Sequence, residues 1–314
     1  MRADVQRWFA RRTSAAADWP PEYLIERKGA TTVSVVLPAL NEEATVGPIV
    51  AEIAELADRT GLVDDIVVVD SGSTDRTSER AAAAGARVLH RDEILPDLGS
   101  VPGKGEVLWK ALYGTAGDLV VYIDADLTTF GAHYVTGLLG PLLDEPAVSL
   151  VKAFYDRPLA GVSPAGGGRV TELMARPLLN LYFPELAGVV QPLAGEYAAR
   201  RSLLERLSFV PGYGVEIGIL IDTLRLDGLD AVAQVDLGDR SHDHQDTQAL
   251  GRMAATILHT VASRLHPGTI ASDQLVQFTR VDGEIVGVPF GIPSTERPPM
   301  VRVPGYDRRP AVLV

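Results

Sequence analysis

Strand and helix patterns alternate through the first half of this 314-residue chain, and this alternation constrains its fold most. A β-branched run at 32–37 is followed by apolar residues at helical spacing over 46–56. The same order returns at 65–69, which precedes an alanine-rich helical stretch, and strand patterns recur at 87–90 and 119–123. Strands that alternate with helices predict an α/β fold of the Rossmann type, with a mostly parallel sheet covered by helices.

The second half of the sequence is more helical. Two segments, 217–224 and 250–261, each present one apolar face, and a strand pattern at 230–237 lies between them. A further strand is predicted at 147–154, and the small residues of 161–168 predict a connection. We therefore predict four parts: an N-terminal helical extension at 1–29, an α/β half at 30–160, a helical acceptor-binding half at 161–287, and a Pro- and Arg-rich tail at 288–314.

Charge and composition exclude several classes of protein. The formal charge of −12 disfavours a sequence-independent nucleic-acid binder, because a negative protein repels phosphate backbones. There are no cysteines, so disulfides, cysteine zinc sites and thiol nucleophiles are excluded. Apolar segments are broken before the roughly 18 residues that a membrane span needs. We expect no membrane partner and a cytoplasmic location.

Acidic residues follow two of the predicted strands. Asp70 and Asp75 flank a turn, and Asp124 and Asp126 follow the strand at 119–123. Ligands of open α/β sheets bind beyond the carboxyl ends of strands, so both groups can share one cleft. Two residues apart in extended backbone, Asp124 and Asp126 point to the same side and can hold a divalent cation with diphosphate oxygens. The alternative is that Asp70 and Asp75 only cap helices.

Two other groups are candidate ligand sites. His242 and His244 would face one side of extended backbone, as a metal pair does, although surface histidines are commoner. Gly168 ends a glycine run before Arg169, where backbone N–H groups and a planar guanidinium suit a phosphate or carboxylate. A helix-like start at Thr171 supports that anion site, and the alternative is a flexible linker with a solvated arginine.

Seven motifs in order along the chain resemble those of a known family. LPALNEE at 37–43, DSGSTD at 70–75 and DADL at 124–127 resemble the GT-A glycosyltransferases. The narrower resemblance is to the actinobacterial glucosyl-3-phosphoglycerate synthases. It depends on PGKGE at 102–106, GGRVTEL at 167–173, QPLAGEY at 191–197 and PGYGVE at 211–216.

The resemblance implies a GT-A-like fold and a retaining, metal-dependent transferase. It would move glucose from a nucleotide donor, UDP-glucose first, to the 2-hydroxyl of 3-phosphoglycerate, with Mg²⁺ or Mn²⁺. It also suggests a homodimer. Retention by front-face displacement is favoured, because no carboxylate can be named from sequence as a nucleophile on the opposite face.

Site residues also follow from the resemblance. Donor-binding residues would be Pro38, Ala39, Leu40, Glu42, Ser71, Lys104, Ala125, Tyr213 and Glu216. The first five would line the nucleoside pocket, and Lys104 would reach the nucleobase or diphosphate end of the donor. Asp124 would lie close to the ribose, and Tyr213 and Glu216 would contact the transferred sugar. The catalytic set would be Asp124, Asp126 and Glu216, and the metal would be held by Asp126 and His242. The acceptor would meet Gly168, Arg169, Thr171 and His244, although relatives often carry asparagine in place of the last. Without the resemblance, the alternative interpretation of Lys104 is a lysine in a turn.

Three alternative functions stay open on sequence grounds. A mannosyl-3-phosphoglycerate synthase using GDP-mannose would share the acceptor pocket and differ in a few donor contacts. A GT-A enzyme with a lipid-phosphate or saccharide acceptor shares the first two motifs but usually needs a membrane element. A catalytically silent nucleotide-sugar binding protein is disfavoured by Asp124, Asp126 and His242 together.

Overall fold

The protein is built on one large, mostly parallel sheet. The computed structural model describes residues 1–156, 168–239 and 246–306. The strands are β1 Thr13–Ala15, β2 Val33–Ala39, β3 Asp65–Asp70, β4 Arg87–His90, β5 Leu119–Tyr122, β6 Leu150–Asp156, β7 Tyr197–Arg200, β8 Val232–Asp239, β9 Gln274–Val281 and β10 Glu284–Gly291. Eight of them form the sheet in the order β1-β8-β6-β7-β5-β2-β3-β4, and β9 and β10 form a separate hairpin.

Within the large sheet, β7 runs antiparallel to both of its neighbours, β5 and β6. The other neighbouring pairs are parallel. Helices connect and cover the strands. They are α1 Ala3–Arg12, α2 Pro21–Lys28, α3 Val46–Thr60, α4 Thr77–Ala83, α5 Lys104–Gly114, α6 His133–Asp144, α7 Arg176–Tyr182, α8 Arg201–Leu204, α9 Val215–Asp227 and α10 Thr247–Leu265.

Two apolar cores lie on opposite faces of the sheet. Alternate residues of β2 show the division, because Val35 and Leu37 pack with the buried face of α3, whereas Val36 packs with α5 and α9. Both faces of the central strands are therefore buried, and this explains why their sequences are continuous apolar runs rather than alternating ones.

The strands and helices predicted in the first half are present, and the mostly parallel α/β sheet is confirmed. So are β6, at the end of the first half, and β8, α9 and α10 of the second half. Sequence reasoning missed β1, which pairs with β8, and β7, which lies between β5 and β6. The boundary at 160/161 therefore separates segments that share one sheet.

The C-terminal segment differs from its predicted description. The first residues of the predicted tail, 288–291, belong to β10. Farther on, Met300, Val303 and Tyr306 are buried in the core that contains α5 and α9. Among the described residues, no helix combines the length and the apolar content needed to cross a membrane.

Candidate active site

The predicted nucleoside pocket lies where β2 and β3 end. These strands are in parallel register with Ala39 opposite Asp70, and the amide of Ser71 donates to the Ala39 carbonyl at 2.9 Å. Ser71 is therefore adjacent to the last residues of β2. Pro38 is half-buried, and Leu40 is 53% exposed just beyond the strand. The sheet thus brings together most residues predicted to line the pocket.

Asp70 and Asp75 have structural partners, as the capping alternative expected. The carboxylate of Asp70 accepts hydrogen bonds from the Ser73 amide at 2.8 Å and from the Ser78 hydroxyl at 2.5 Å. Burial alone would raise the pKa of Asp70, but these hydrogen bonds outweigh it and lower the pKa. Asp75 accepts from the amide and the hydroxyl of Thr77. Both carboxylates therefore fix the loop that begins with Ser71.

Glu42 follows β2, and β2 pairs in parallel with β5, which leads to the acidic residues Asp124 and Asp126. The amide of Glu42 donates to the hydroxyl of Thr77 at 2.7 Å, which holds the loop after β2 against the start of α4. Burial raises the pKa of the Glu42 carboxyl, and the negative charges of Asp126, Asp75 and Asp124 raise it further. The predicted nucleoside pocket and the Asp124–Asp126 motif therefore belong to one cleft.

Asp124 and Asp126 do not lie in extended backbone as predicted. β5 ends at Tyr122, and residues 125 and 126 form a turn, so the same-side argument for the two carboxylates is wrong. Asp124 is mostly buried and ion-paired, Ala125 is 3% exposed, and Asp126 is exposed at the turn. The turn separates their environments, which suits different roles for the two carboxylates.

Lys104 links two of the predicted site residues. It is the first residue of α5, and its Nζ contacts the carboxylate of Asp124 and lies 3.3 Å from Oε1 of Glu216. Burial would lower the pKa of Lys104, but the charges of Asp124 and Glu216 outweigh it and raise the pKa above its usual value. Lys104 is therefore a permanent cation between two carboxylates, and the turn-lysine alternative does not describe it.

Two glycines allow Lys104 to reach this position. A Cβ on Gly103 would lie 2.5 Å from the Pro211 carbonyl, and a Cβ on Gly105 would overlap the Val210 carbonyl. Gly103 also has a φ of +118°, which L side chains rarely adopt. The start of α5 therefore packs backbone against backbone on the segment that precedes α9. That packing places Lys104 beside Glu216, which is in the first turn of α9.

A third glycine lies directly against the ion pair. A Cβ on Gly195 would overlap the carboxylate of Asp124 and lie 2.6 Å from Nζ of Lys104. Gly195 belongs to the motif at 191–197, which leads into β7. Sequence reasoning used that motif for the resemblance only. The structure shows that its backbone forms part of the cleft.

Lys152 is a buried lysine behind the same backbone, and sequence reasoning missed it. It is 1% exposed in β6, and its Nζ donates to the Ala194 carbonyl at 2.5 Å. Burial lowers the pKa of Lys152 to about 8, with Lys104 acting in the same direction against the charges of Glu216, Glu196 and Asp124. A lysine at the third position of an apolar strand, which cannot be solvated there, was the available signal.

The predicted acceptor site begins at Gly168, whose φ is +79°. Gly168 accepts a hydrogen bond at its carbonyl from the Glu172 amide, so helical structure starts here, as predicted. Arg169 is exposed at this start, and Thr171 is 7% exposed in a π-helical turn, 171–175, that continues into α7. π-Helical turns often mark functional sites.

The remaining predicted site residues are Tyr213 and the two histidines. Tyr213 is 49% exposed between the Gly103 contact and α9. His242 and His244 lie outside the described residues. Within the described ranges, no three His, Asp or Glu side chains form a metal-sized cluster. Asp126, the described member of the predicted metal pair, presents an exposed carboxylate, which is the kind of oxygen ligand that a hard divalent cation prefers.

Comparison with known proteins identifies the family. Residues 34–205 match the model described as glycosyl transferase family 2. The chain belongs to glycosyl transferase family 2. The matched segment runs from β2 to just beyond α8 and therefore contains Glu42, Lys104, Asp124 and Asp126.

Longer matches within this glycosyl transferase family cover nearly the whole chain. Glucosyl-3-phosphoglycerate synthase of Petrotoga mobilis is 44% identical over 295 residues, or 91% of each chain. The crystal structure of the Mycobacterium tuberculosis enzyme of that name, in complex with Mn²⁺, UDP and phosphoglyceric acid, has a TM-score of 0.83. The two chains are 47% identical, and the match covers 90% of this chain and 95% of the mycobacterial one. A complex of the same enzyme with Mn²⁺ and UDP-glucose has a TM-score of 0.82 at 47% identity, with the same coverage.

Proposed function

We propose that this glycosyl transferase moves glucose from UDP-glucose to the 2-hydroxyl of 3-phosphoglycerate and so makes glucosyl-3-phosphoglycerate. The observation that carries the proposal is the cluster formed by Lys104, Asp124 and Glu216. In addition, relatives named for this activity match nine-tenths of the length of the chain. The cluster joins the residue predicted near the ribose to the one predicted near the transferred sugar. We therefore place the glucose between the donor pocket and α9.

The nucleoside would bind where β2 and β3 end, along Pro38, Ala39, Leu40 and Ser71. Asp126 and His242 would hold Mg²⁺ or Mn²⁺, the ions bound with UDP in solved relatives. When bound, the ion supplies charge stabilisation for the departing diphosphate. Ala125 would allow the backbone to approach the donor between Asp124 and Asp126.

The protein's own groups would position the sugar. Glu216 is nearly buried and accepts hydrogen bonds, so it can bind glucose hydroxyls with Tyr213 beside it. Lys104, held as a cation, fixes Glu216 and Asp124 relative to each other. Such fixed geometry lowers the barrier by aligning the acceptor hydroxyl with the anomeric carbon.

Retention is proposed to proceed by front-face displacement. The 2-hydroxyl oxygen forms its bond to the anomeric carbon on the face from which the diphosphate oxygen departs. The hydroxyl proton passes to the departing diphosphate, so the charges balance without an enzyme nucleophile. Gly168, Arg169, Thr171 and His244 would hold the phosphate and carboxylate of the acceptor, with Arg169 supplying a planar donor pair.

The location and assembly are further proposals. We propose a cytoplasmic enzyme, because a sugar nucleotide and a phosphoglycerate are too highly charged to cross a bilayer unaided. We also propose a homodimer. The partners are therefore two small anions and a second copy of the chain, with neither nucleic acid nor membrane involved.

A product assay tests the activity. Purified enzyme with Mg²⁺ or Mn²⁺ is given UDP-glucose, GDP-glucose or GDP-mannose, each with 3-phosphoglycerate or with glycerate. Mass spectrometry and the anomeric NMR coupling identify the product. We expect an α-linked glucosyl-3-phosphoglycerate from UDP-glucose. A faster reaction with GDP-mannose would favour the mannosyl alternative, and no product from any pair would favour the silent binding protein.

A further inference from the structure

Lys152 lies inside the sheet, where a charged side chain needs a specific partner. It is in β6, in register with Tyr197 of β7 and Gln234 of β8, and is 1% exposed. Alternation along β6 turns Lys152 to the same face as Leu150, which packs in the core that contains α5 and α9. Lysines are almost never this buried unless they are paired, so the contacts of the ammonium group define its role.

The ammonium group is directed at the backbone of the cleft. Its Nζ donates to the Ala194 carbonyl at 2.5 Å and lies 4.7 Å from the centre of the Tyr197 ring. Ala194 is itself 0% exposed. A hydrogen bond from a cation to a buried carbonyl is strong, because the donor is ionised and water does not compete for it.

This bond fixes a peptide unit that touches the Lys104–Asp124 pair. The chain has no cis peptide bonds among its described residues, so the Ala194 carbonyl and the Gly195 amide point in opposite directions. Because the carbonyl points to Lys152, the N–H of Gly195 points away from it. Gly195 has no room for a Cβ against Asp124 and Lys104. A rotation of this peptide would therefore shift the ion pair.

Two other buried side chains, those of Gln234 and Tyr155, hold residues on either side of the Ala194–Gly195 peptide. The amide of Val190 donates to Gln234 Oε1 at 2.9 Å, and the hydroxyl of Tyr155 donates to Glu196 at 2.7 Å. Lys152 contacts the part of the segment that lies on the ion pair.

We propose that Lys152 is a positioning residue for glucosyl transfer, which acts by fixing the Ala194–Gly195 peptide against Lys104 and Asp124. The proposal rests on the proposed function. Lys152 does not touch substrate, and its effect is expressed through the ion pair that orients Glu216. Loss of its ammonium group will therefore alter the glucose end of the site and leave the nucleoside end at β2 and β3 intact.

The test compares two buried lysines. Lys110 in α5 is 0% exposed, and its Nζ donates to the Arg91 carbonyl at 3.0 Å and to Ser100 Oγ at 2.6 Å. It also lies 3.8 Å from Oε1 of Glu106. Lys152→Met and Lys110→Met each remove one buried ammonium group from a hydrogen bond to a carbonyl. Lys110→Met therefore controls for the general cost of that change, which thermal unfolding measures in both variants.

Steady-state kinetics with UDP-glucose and 3-phosphoglycerate give the main result. We expect Lys152→Met to lower kcat at least about tenfold, since small displacements of catalytic groups cost factors of this size or more. The Kd for UDP with Mn²⁺, measured by calorimetry, should stay within about threefold of wild type. Lys152→Arg, which keeps the cationic donor, should recover part of kcat. If Lys152→Met does not fold, Lys152→Gln replaces it. The glutamine side chain is one bond shorter than that of lysine, so its amide group does not reach the Ala194 carbonyl.

Two outcomes would overturn the proposal: a wild-type kcat in the folded Lys152 variant, or an equal loss of kcat in Lys110→Met. A wild-type enzyme that makes no glucosyl-3-phosphoglycerate would instead refute the proposed function. Calorimetry would then test the positioning role of Lys152 independently of turnover. We expect the variant to lose about tenfold of its affinity for UDP-glucose relative to UDP, and an unchanged ratio would overturn the inference.

Discussion

Acidic side chains in the cleft lie in different surroundings. Asp70 accepts from Gly72, Ser73 and Ser78, so its carboxylate is committed to the loop. Asp124 is paired with Lys104. Asp126 is exposed at the turn, and its charge helps to raise the pKa of Glu42. Asp126 is the carboxylate that we predict to bind the metal ion that arrives with the donor.

Asp126→Asn should therefore lower turnover at least about a hundredfold at saturating metal, because a charged ligand at the diphosphate is lost. Removal of the metal with EDTA should have a similar effect on the wild-type enzyme, reversed by added Mn²⁺. Asp58→Asn, on the exposed side of α3, controls for the loss of one negative charge. Full activity of the EDTA-treated enzyme would show that the metal assignment of Asp126 and His242 is wrong.

Arg169→Ala should weaken the apparent affinity for 3-phosphoglycerate by about tenfold to over a hundredfold, since a charge-assisted pair contributes about 1.5–3 kcal/mol. Arg169→Lys should recover only part, because lysine lacks the planar pair of donors. The affinity for glycerate should change much less if Arg169 binds the phosphate, and equally if it binds the carboxylate. Arg206→Ala, which removes a surface guanidinium bonded to Asp227, is the control. Unchanged kinetics with both acceptors would support the flexible-linker alternative.

At the scale of elements, the start of α5 is determined by tertiary contact. Gly105 is the second residue of α5 and meets the Val210 carbonyl with no space for a Cβ. Farther along the helix, the buried carboxylate of Glu106 is held by Arg297 through bonds of 2.6 and 2.7 Å. The backbone of Arg297 pairs in turn with that of Phe209. The C-terminal segment thus helps to hold α5 on the segment that precedes α9.

Gly105→Ala should lower the free energy of unfolding by about 1–3 kcal/mol, since the added methyl forces the backbones apart. It should also lower kcat/KM by about tenfold or more, because Lys104 moves relative to Glu216. Gly47 is the second residue of α3 and has ordinary space for a Cβ, 3.7 Å from its nearest neighbour. Gly47→Ala should therefore be neutral or stabilising by up to about 1 kcal/mol. Equal effects of the two substitutions, measured by urea unfolding, would contradict this account.

The same elements show how far sequence reasoning reaches. Local patterns were sufficient for β2, β3 and β5 and for the helices α3 and α4, because burial on both faces makes these strands continuous apolar runs. Lys104 was named only through the resemblance, since its partner Glu216 is more than a hundred residues away. The turn after β5 was missed because an Asp-x-Asp pattern does not reveal where a strand ends. Gly195 and Lys152 act through contacts between distant segments, which no local pattern encodes.

For the whole molecule, the large sheet joins the two halves of the chain. β5 comes from the first half and β7 and β8 from the second, so Asp124 and Gly195 are brought together by neighbouring strands. The residues of the cleft therefore depend on the complete sheet rather than on a separate nucleotide-binding unit. The hairpin β9–β10 is outside this sheet, and its side chains are more exposed.

The outer face of that hairpin is the surface where we expect the homodimer to form. Val276, Phe278 and Ile285 are 50%, 67% and 66% exposed, and the strand register turns all three to one side. A two-stranded hairpin with an apolar face is only marginally stable in water, and a second copy related by two-fold symmetry would cover both hairpins at once.

Phe278→Asp combined with Ile285→Asp should therefore convert a dimer to a monomer in sedimentation equilibrium, because charges cannot be buried at an apolar contact without partners. Leu226→Asp is the control, since it adds one such charge at a leucine of α9 that is 51% exposed. The control should remain dimeric at the same protein concentration. A wild-type enzyme that sediments as a monomer would contradict the homodimer itself, and a double variant that stays dimeric would place the interface on another surface.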